Sequence, residues 1–393
     1  AAVFDTAILG SNPSAPAKLM EKIPLYKKSF DKIRNIFFPF YRSKEIKNLF
    51  YLLSRGESKN MCVAMFVGGC VRKFLSNQKI DDIDIACIFS PDQIKEKLKN
   101  TNIKIIDTGV EHGSLTVISN KKKFEVTTLR KDEKTDGRYA EISFTDDWYQ
   151  DSKRRDFTIN AIYMDHKGKI YDPQSGLHDL KKKKVKFIGD PIERITEDYL
   201  RIIRFIRFSL QYQCEESDKG IITAIKLNLN GIKNLSKERI LSEITKIFNL
   251  KNINILLINE EIKKIFSIVF PEFKYLERIK KINNLTKFKK INLNPEIIFS
   301  ILLIDDTSNH EYFFHKYRTS NQFMKNLNLI AKNYEIYKKN KNFFKSDFKK
   351  NIYLLGKNNI KKLLTFIYCA EPKFSKDLLD SLILEIENFK IPK

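Results

Sequence analysis

Two rhythms of apolar and polar residues run along this chain, and the change from one to the other divides it. Up to about residue 190, short stretches of period two recur between turn-forming residues, the spacing of half-buried strands. From Ile195 onward apolar residues recur every three or four positions, as amphipathic helices require. In the first part, Ile33, Phe37, Ile46, Phe50 and Leu53 predict two helices over 29–53, leading into an apolar strand that ends at Val67. Helical spacing follows over 70–76, then a strand carrying Asp82-Ile83-Asp84-Ile85-Ala86. Ser90-Pro91-Asp92 has the chemistry of a helix start, and that helix is expected to reach about Lys99. Alternation predicts three strands over 103–108, 114–119 and 123–130. Residues 131–150 show little periodicity and read as a long polar loop. A short hairpin is expected over 163–172 around Lys167-Gly168. The fold class is therefore α+β: a small mixed sheet with helices, followed by an all-α remainder. Boundaries are expected near 188–195 and, more softly, near 250–260.

Charge changes the picture. Lys and Arg number 72 against 48 Asp and Glu, a formal net charge of +24 over 393 residues. Such an excess suits a polyanionic partner, with binding that weakens steeply in salt, although a coding bias toward Lys would also raise it. The five cysteines (Cys62, Cys70, Cys87, Cys214, Cys369) form no C-x-x-C pair. They point to a reducing, cytoplasmic setting, with no disulfide-linked partner and no zinc site. The five histidines show no H-D or H-x-x-x-H grouping. No apolar run reaches the roughly 18 residues of a membrane span, so no membrane partner is expected. Residues 1–19 are Ala/Ser/Pro-rich and almost uncharged, unlike everything after Met20. They read as an expression leader with the native start at Met20.

The candidate chemistry lies in three stretches. In the first, Gly68-Gly69 allow a sharp turn that brings bare N–H groups close to a ligand, and a helix start there favours phosphate. About a dozen residues on, Asp82 and Asp84 share one face of their strand, with Ile83 and Ile85 on the other. Two adjacent carboxylates repel unless a cation sits between them. Hard oxygen donors of this kind suit Mg²⁺, which keeps several waters and takes one or two carboxylates plus substrate phosphates. A phosphate turn beside a carboxylate pair is equipment for attack on a nucleoside triphosphate. Glu125 falls on the face opposite Phe124 and Val126, either as a third carboxylate near that site or as an exposed strand residue. The second stretch, Lys153-Arg154-Arg155-Asp156-Phe157-Thr158-Ile159-Asn160-Ala161, fits the phosphates and ribose hydroxyls of a nucleotide, or else a solvated helix face.

The third stretch runs over 197–208, read as one helix. Asp198, Arg201 and Arg204 are three apart and Arg207 continues the stripe. The plain alternative is a helical Asp–Arg salt bridge. The specific one is base reading: Asp accepts hydrogen bonds only, and Arg only donates them. Asp198 accepting from an exocyclic amino group while Arg201 donates to a ring nitrogen would take cytosine or adenine and reject guanine or uracil. Each wrong pairing would cost about 1–3 kcal/mol. Arg204 and Arg207 would then lie nearer the phosphates.

These motifs, in this order, resemble those of the class II tRNA nucleotidyltransferases (CCA-adding enzymes) and their relatives, the bacterial poly(A) polymerases. Gly68-Gly69-Cys70-Val71-Arg72 with Asp82-Ile83-Asp84 is similar to the triphosphate and metal motif, which implies nucleotide contacts for Gly69 and Arg72. Arg155 and Asp156 fall in the ribose-recognition motif, and Asp198 with Arg201 in the protein template for the incoming base. Ser236-Lys237-Glu238-Arg239-Ile240 with Glu243 resembles the helix that buttresses the neck. The likeness spans about residues 66–248. It implies a nucleotidyltransferase head over 20–190, a helical neck over 191–255, and a tRNA-binding body and tail over 256–393. It also implies two Mg²⁺ held by Asp82 and Asp84, with CTP and ATP as substrates and tRNA as acceptor. The sequence departs from the family at Lys73, where Asp is usual, at Tyr199, a frequent Pro, and at Ser114, a frequent Thr.

Within that family, the segment Thr108-Gly109-Val110-Glu111-His112-Gly113-Ser114 and the long loop before Arg154 are more similar to CCA-adding members. A poly(A) polymerase with the same head chemistry, or a CC-adding or A-adding partial enzyme, are the alternatives. A non-catalytic RNA-binding protein on the same scaffold is a third reading, against which intact Asp82 and Asp84 speak.

Overall fold

The computed structural model describes residues 39–58, 61–136, 139–250, 252–286 and 293–390. The expected leader over 1–19, Met20, and the first N-terminal helix with Ile33 and Phe37 lie outside the described residues. The second N-terminal helix is Lys44–Ser54. The chain divides into two compact units, one ending at Asp198 and the other beginning at Tyr199.

The first unit is built on a seven-stranded mixed sheet. Its strands are β1 (Ala64–Val67), β2 (Asp84–Cys87), β3 (Ile103–Gly109), β4 (Ser114–Ser119) and β5 (Lys122–Thr128), with β8 (Tyr163–Met164) and β9 (Ile170–Tyr171). Their order is β3-β4-β5-β2-β1-β8-β9, and every pairing is antiparallel except the parallel β2–β5 pair. Alternation sorts the side chains between two cores. Phe66, Ile85, Cys87, Phe124 and Val126 join the helices Lys44–Ser54, Gly69–Leu75 and Pro91–Leu98 on one face. Met65, Val67, Ala86, Trp148 and Tyr163 form a smaller core on the other. The expected helix after Ser90 is present. Ser90 caps it by accepting from Gln93 N at 3.3 Å, and the Gln93 side chain accepts from Ser90 N at 2.9 Å.

One expectation is corrected. Most of the polar stretch 131–150 is not a loop: β6 (Arg130–Asp136) and β7 (Tyr139–Phe144) pair as a separate antiparallel ribbon, with a register shift between Asp132 and Lys134. A two-stranded ribbon satisfies its backbone across the pair. Arg130–Asp136 is polar throughout, so this strand carries no period-two signal, and without its partner's cue the stretch reads as a loop.

Among the described residues the second unit contains helices and no strand. Asp218, Ser236, Asn259, Asn294, Ser320 and Ser375 each accept a backbone N–H at a helix start. An aromatic cluster of Phe248, Phe266, Phe273, Phe299 and Phe313 fills its centre, with Phe248 and Phe299 centroids 4.7 Å apart. The single helix expected over 197–208 is broken. One helix runs Pro191–Glu197, Asp198 is extended at φ −155° and ψ 103°, and a second runs Leu200–Gln211. Asp is a poor helix-interior residue because its short side chain competes for backbone N–H groups. Asp198 therefore precedes the arginine-bearing helix in the chain.

Tyr199 seats that second helix against the turn Leu229–Asn234. A Cβ on Gly231 would lie 2.1 Å from ring carbons Cδ1 and Cε1 of Tyr199, closer than any tolerated contact. Gly231→Ala is expected to destabilise by about 1–3 kcal/mol in urea unfolding, as overpacked sites do. In a Tyr199→Ala background the same substitution should cost less; full additivity in the double variant would show that the ring is not the obstacle.

Candidate active site

The site begins where β1 stops. Gly68 adopts φ +69° and ψ −122°, a conformation that side-chain-bearing residues rarely take, and the helix Gly69–Leu75 starts directly after it. A Cβ on Gly69 would be 3.7 Å from Asp84 Oδ2. One on Gly68 would be 3.9 Å from both Asp84 Oδ2 and Arg155 Nη1. The glycine turn and the acidic strand thus converge with Arg155, which lies far along the chain from both.

Asp84 opens β2 and is half-buried, on the face opposite Ile83 and Ile85. Asp82 lies two residues before it, exposed and just outside the strand, so the strand is shorter than its alternation suggested. Glu125 stands opposite Asp84 in the parallel β2–β5 register and accepts from Lys123 Nζ at 3.3 Å. Burial pushes the Asp84 carboxyl up from its ordinary value and the Glu125 charge adds to that; Arg155 pulls it back, and Asp82 raises it again. Among the described residues no three His, Cys, Asp or Glu side chains are gathered closely enough to hold a metal ion. Glu125 acts on Asp84 electrostatically from across the parallel pair.

Arg155 is held by a residue that sequence reasoning missed. Asp151, fully buried in the helix Trp148–Lys153, accepts from Arg155 Nη2 at 2.9 Å and Nε at 3.3 Å. The same carboxylate takes Arg154 Nε at 2.9 Å, the Tyr163 hydroxyl at 2.6 Å and the Arg130 backbone N–H at 3.3 Å. Burial alone would push Asp151 up, but Arg155, Arg154 and the Tyr163 hydroxyl together hold it far below the usual carboxylate range. Burial also raises Tyr163, whose protonated hydroxyl donates to Asp151 while accepting from Arg155 Nε at 3.0 Å. With Nε and Nη2 so committed, Nη1 is aimed toward the Gly68 turn. The signal lay in the spacing: an acid three and four residues ahead of two arginines is an ion-pair pattern on a helix.

The neighbouring groups are tied in as well. Buried Arg72 donates to Asn160 Oδ1, and Asn160 Nδ2 donates to Asp156 Oδ1 at 2.7 Å. Lys73 is not part of that chain; it pairs with Asp81 at 3.1 Å near the surface. Thr158 Oγ1 donates to buried Asp179 at 2.8 Å. Arg194 Nη2 donates to the Arg154 and Arg155 carbonyls at 2.6 and 2.9 Å. The second candidate stretch is therefore a clamped turn and not a solvated helix face.

In the second unit Arg201 lies in the first turn of the helix Leu200–Gln211, half-exposed. Further along, Arg207 Nε donates to Glu243 Oε2 at 2.6 Å, and Arg204 Nη1 stands 3.8 Å from Glu243 Oε1. Lys246 completes the set at 2.8 Å. Burial would raise the Glu243 carboxyl, yet Arg207, Arg204 and Lys246 hold it below its ordinary value. The structure thus places Arg204 and Arg207 on Glu243.

A family model for the poly(A) polymerase head domain matches residues 64–186. The CCA tRNA nucleotidyltransferase 1, mitochondrial, of Danio rerio is 39% identical over 212 residues, covering 52% of this chain and 49% of the relative. This chain thus spans about half the length of that relative. The CCA-adding enzyme of Oceanobacillus iheyensis is 35% identical over 290 residues, covering 72% of this chain and 68% of the relative. Among solved structures, the Bacillus stearothermophilus CCA-adding enzyme in complex with CTP superposes with a TM-score of 0.66 at 21% identity. That match covers 88% of this chain and 82% of the other, and at that identity it establishes the fold.

Removing the Asp151 charge would leave two arginines without their shared anchor. Asp151→Asn is expected to destabilise by about 3–5 kcal/mol, the cost of breaking a buried pair. The folded-state pKa of Asp151 is depressed, so its contribution is complete above the unfolded value of about 4 and is lost as pH falls below it. The gap between wild type and variant in thermal melts should hold steady from about pH 5 to 8 and close only in stronger acid. A gap that closed near neutrality would contradict this assignment.

Proposed function

The chain belongs to the CCA-adding enzyme family, and from that premise we propose that it adds C, C and A to tRNA 3′ ends, using CTP and ATP and releasing pyrophosphate. The observation that carries the reading is the convergence of Gly68-Gly69, Asp84 and Arg155 on one corner of the sheet. Arg155, from far along the chain, meets the glycine turn and the acidic strand there, so that a carboxylate and a guanidinium face one glycine turn. This is what a nucleoside triphosphate needs: close backbone approach, a cation for its phosphates, and oxygen donors for the ion it carries.

Asp82 and Asp84 fit a hard divalent ion. Their donors are all oxygen, and the carboxyl of Asp84 is raised by burial and by its acidic neighbours, a penalty that a cation would relieve. Bound there, divalent ions, Mg²⁺ in our reading, supply charge that favours the 3′-hydroxyl as nucleophile and pyrophosphate as leaving group. The chain's own residues do the rest. Arg155, fixed by Asp151 and Tyr163, meets phosphate oxygens. Gly69 lets the triphosphate approach the backbone. Asp156, aligned through Asn160 and Arg72, takes the ribose hydroxyls. Asp198 and Arg201 supply the acceptor and donors that suit cytosine and adenine, while Arg204 and Arg207 brace that helix through Glu243. In this reading residues 20–190 act as head, 191–255 as neck and 256–393 as tRNA-binding body and tail.

All five cysteines are free, consistent with the reducing, cytoplasmic setting we favour. No helix among the described residues is long and apolar enough to cross a membrane.

An incorporation assay decides between this reading and poly(A) synthesis, which shares the head. With tRNA lacking its terminus, CTP alone should add two residues, CTP with ATP three, and ATP alone none. Asp84→Ala should lower the rate at least about a hundredfold. Long A tails on unstructured RNA with CTP ignored would establish the poly(A) reading instead. Wild type inert with Mg²⁺ and tRNA would leave only RNA binding, and an Asp84→Ala protein as active as an active wild type would take the chemistry away from Asp84.

A further inference from the structure

The turn after the short helix Gly176–Lys181 carries more charge than the fold can use. Lys182, Lys183 and Lys184 are consecutive and all exposed. Asp179, the nearest acid along the chain, is buried and already engaged: it accepts from Thr158 Oγ1 at 2.8 Å and lies 3.5 Å from Lys186 and 3.6 Å from His178. Among the described residues none of Lys182, Lys183 and Lys184 has an acidic partner.

Backbone geometry makes the choice of lysine more telling. The helix is closed by Lys182 N donating to His178 O at 3.0 Å and Lys184 N to Asp179 O at 2.8 Å, with Lys183 left-handed at φ +53°. Glycine is the low-cost residue for that position. A cation near a helix C-terminus is stabilised by the backbone dipole, which accounts for one lysine and not for three that repel each other. Folding stability does not account for the run.

From the turn the chain passes through buried Val185 and Phe187 and runs beside the nucleotide stretch. Lys186 O accepts from Thr158 N at 3.0 Å, and Phe157 and Phe187 form an antiparallel bridge. The lysine turn is thus tied directly to the segment that bears Arg155, Asp156 and Asn160. We propose that Lys182, Lys183 and Lys184 form a binding surface for the phosphate backbone of the RNA acceptor, next to where its 3′ end must be delivered. Three consecutive exposed ammonium groups suit phosphates that follow one another along a strand. The triphosphate of a free nucleotide has its own cation in Arg155. This inference rests on the nucleotidyl-transfer reading and extends it to a surface of this chain's own residues.

The test is equilibrium binding of the full chain to tRNA lacking its terminus, by fluorescence anisotropy across a salt series. The variant is Lys182→Gln/Lys183→Asn/Lys184→Gln, in which Asn tolerates the left-handed position. Its log affinity should depend less steeply on log salt, by about two to three in slope, because each phosphate contact contributes about 0.7–0.9. Near 0.1 M salt its affinity should fall about tenfold or more, with KM for CTP within about twofold of wild type. The all-arginine variant at the three positions should restore both affinity and slope, which separates lost charge from lost folding. An unchanged slope overturns the proposal, as does a raised KM for CTP with RNA affinity intact. Either result leaves the enzymatic reading standing, since that reading is decided by CTP incorporation. Conversely, a wild type that incorporates nothing would sink the activity without moving the salt slope.

Discussion

The structure depends on an electrostatic conflict at the end of one short strand. Asp84 is half-buried where water cannot fully solvate it, with Asp82 two residues away and Glu125 across the parallel pair. Chains seldom keep like charges together in a poorly hydrated corner unless something positive is meant to join them. Part of the compensation is built in. Arg155 faces the same glycine turn, and it does so because Asp151 and Tyr163 leave its guanidinium only one direction. In the function we propose, a nucleotide carrying a divalent ion supplies the remainder.

The surrounding fold can be understood as the means of holding that conflict in place. Period-two alternation puts Ile85 and Cys87 into the larger core, which fixes which way Asp84 faces. Trp148 and Tyr163 form the smaller core on the opposite face, and their edge-to-face contact, with centroids 5.6 Å apart, braces the helix that carries Asp151. One buried carboxylate thus joins that helix, the start of the charged ribbon through Arg130, and β8 through Tyr163. Glu243 plays a similar part in the second unit by gathering Arg204, Arg207 and Lys246. Both anchors are acids whose burial would be prohibitive without their cations, so their loss would be felt far beyond their own contacts.

Much of this was legible in the sequence because the relevant signals are local. Alternation placed β3, β4 and β5 to within a residue or two, and Ser90-Pro91 marked a helix start that the capping pair confirms. The Gly-Gly turn and the D-x-D stretch pointed to each other by proximity along the chain. The rest was not legible, for physical reasons. The first strand of the β6–β7 ribbon, Arg130–Asp136, is polar throughout and carries no alternation to announce it. The end of the helix at Glu197 is set by the extended backbone of Asp198, whose neighbours are apolar enough to look continuous. Asp151 reads as one more charge in a polar stretch; only the fold shows that it is buried and that two arginines converge on it. Asn160, the partner of Arg72, lies 88 residues away and carries no local signature of that contact.

The central claim is that the pair Asp82 and Asp84 is poised for a divalent ion brought with a nucleotide. Titration of Mn²⁺ in the presence of CTP, followed by the loss of the free-ion paramagnetic signal, tests it without any turnover. Wild type should hold the ion together with CTP, whereas Asp84→Asn, which keeps the shape and removes the charge, should lose that binding and melt no lower than wild type. Equal ion binding by the two proteins, or a marked loss of stability in the variant without ligand, would contradict the account.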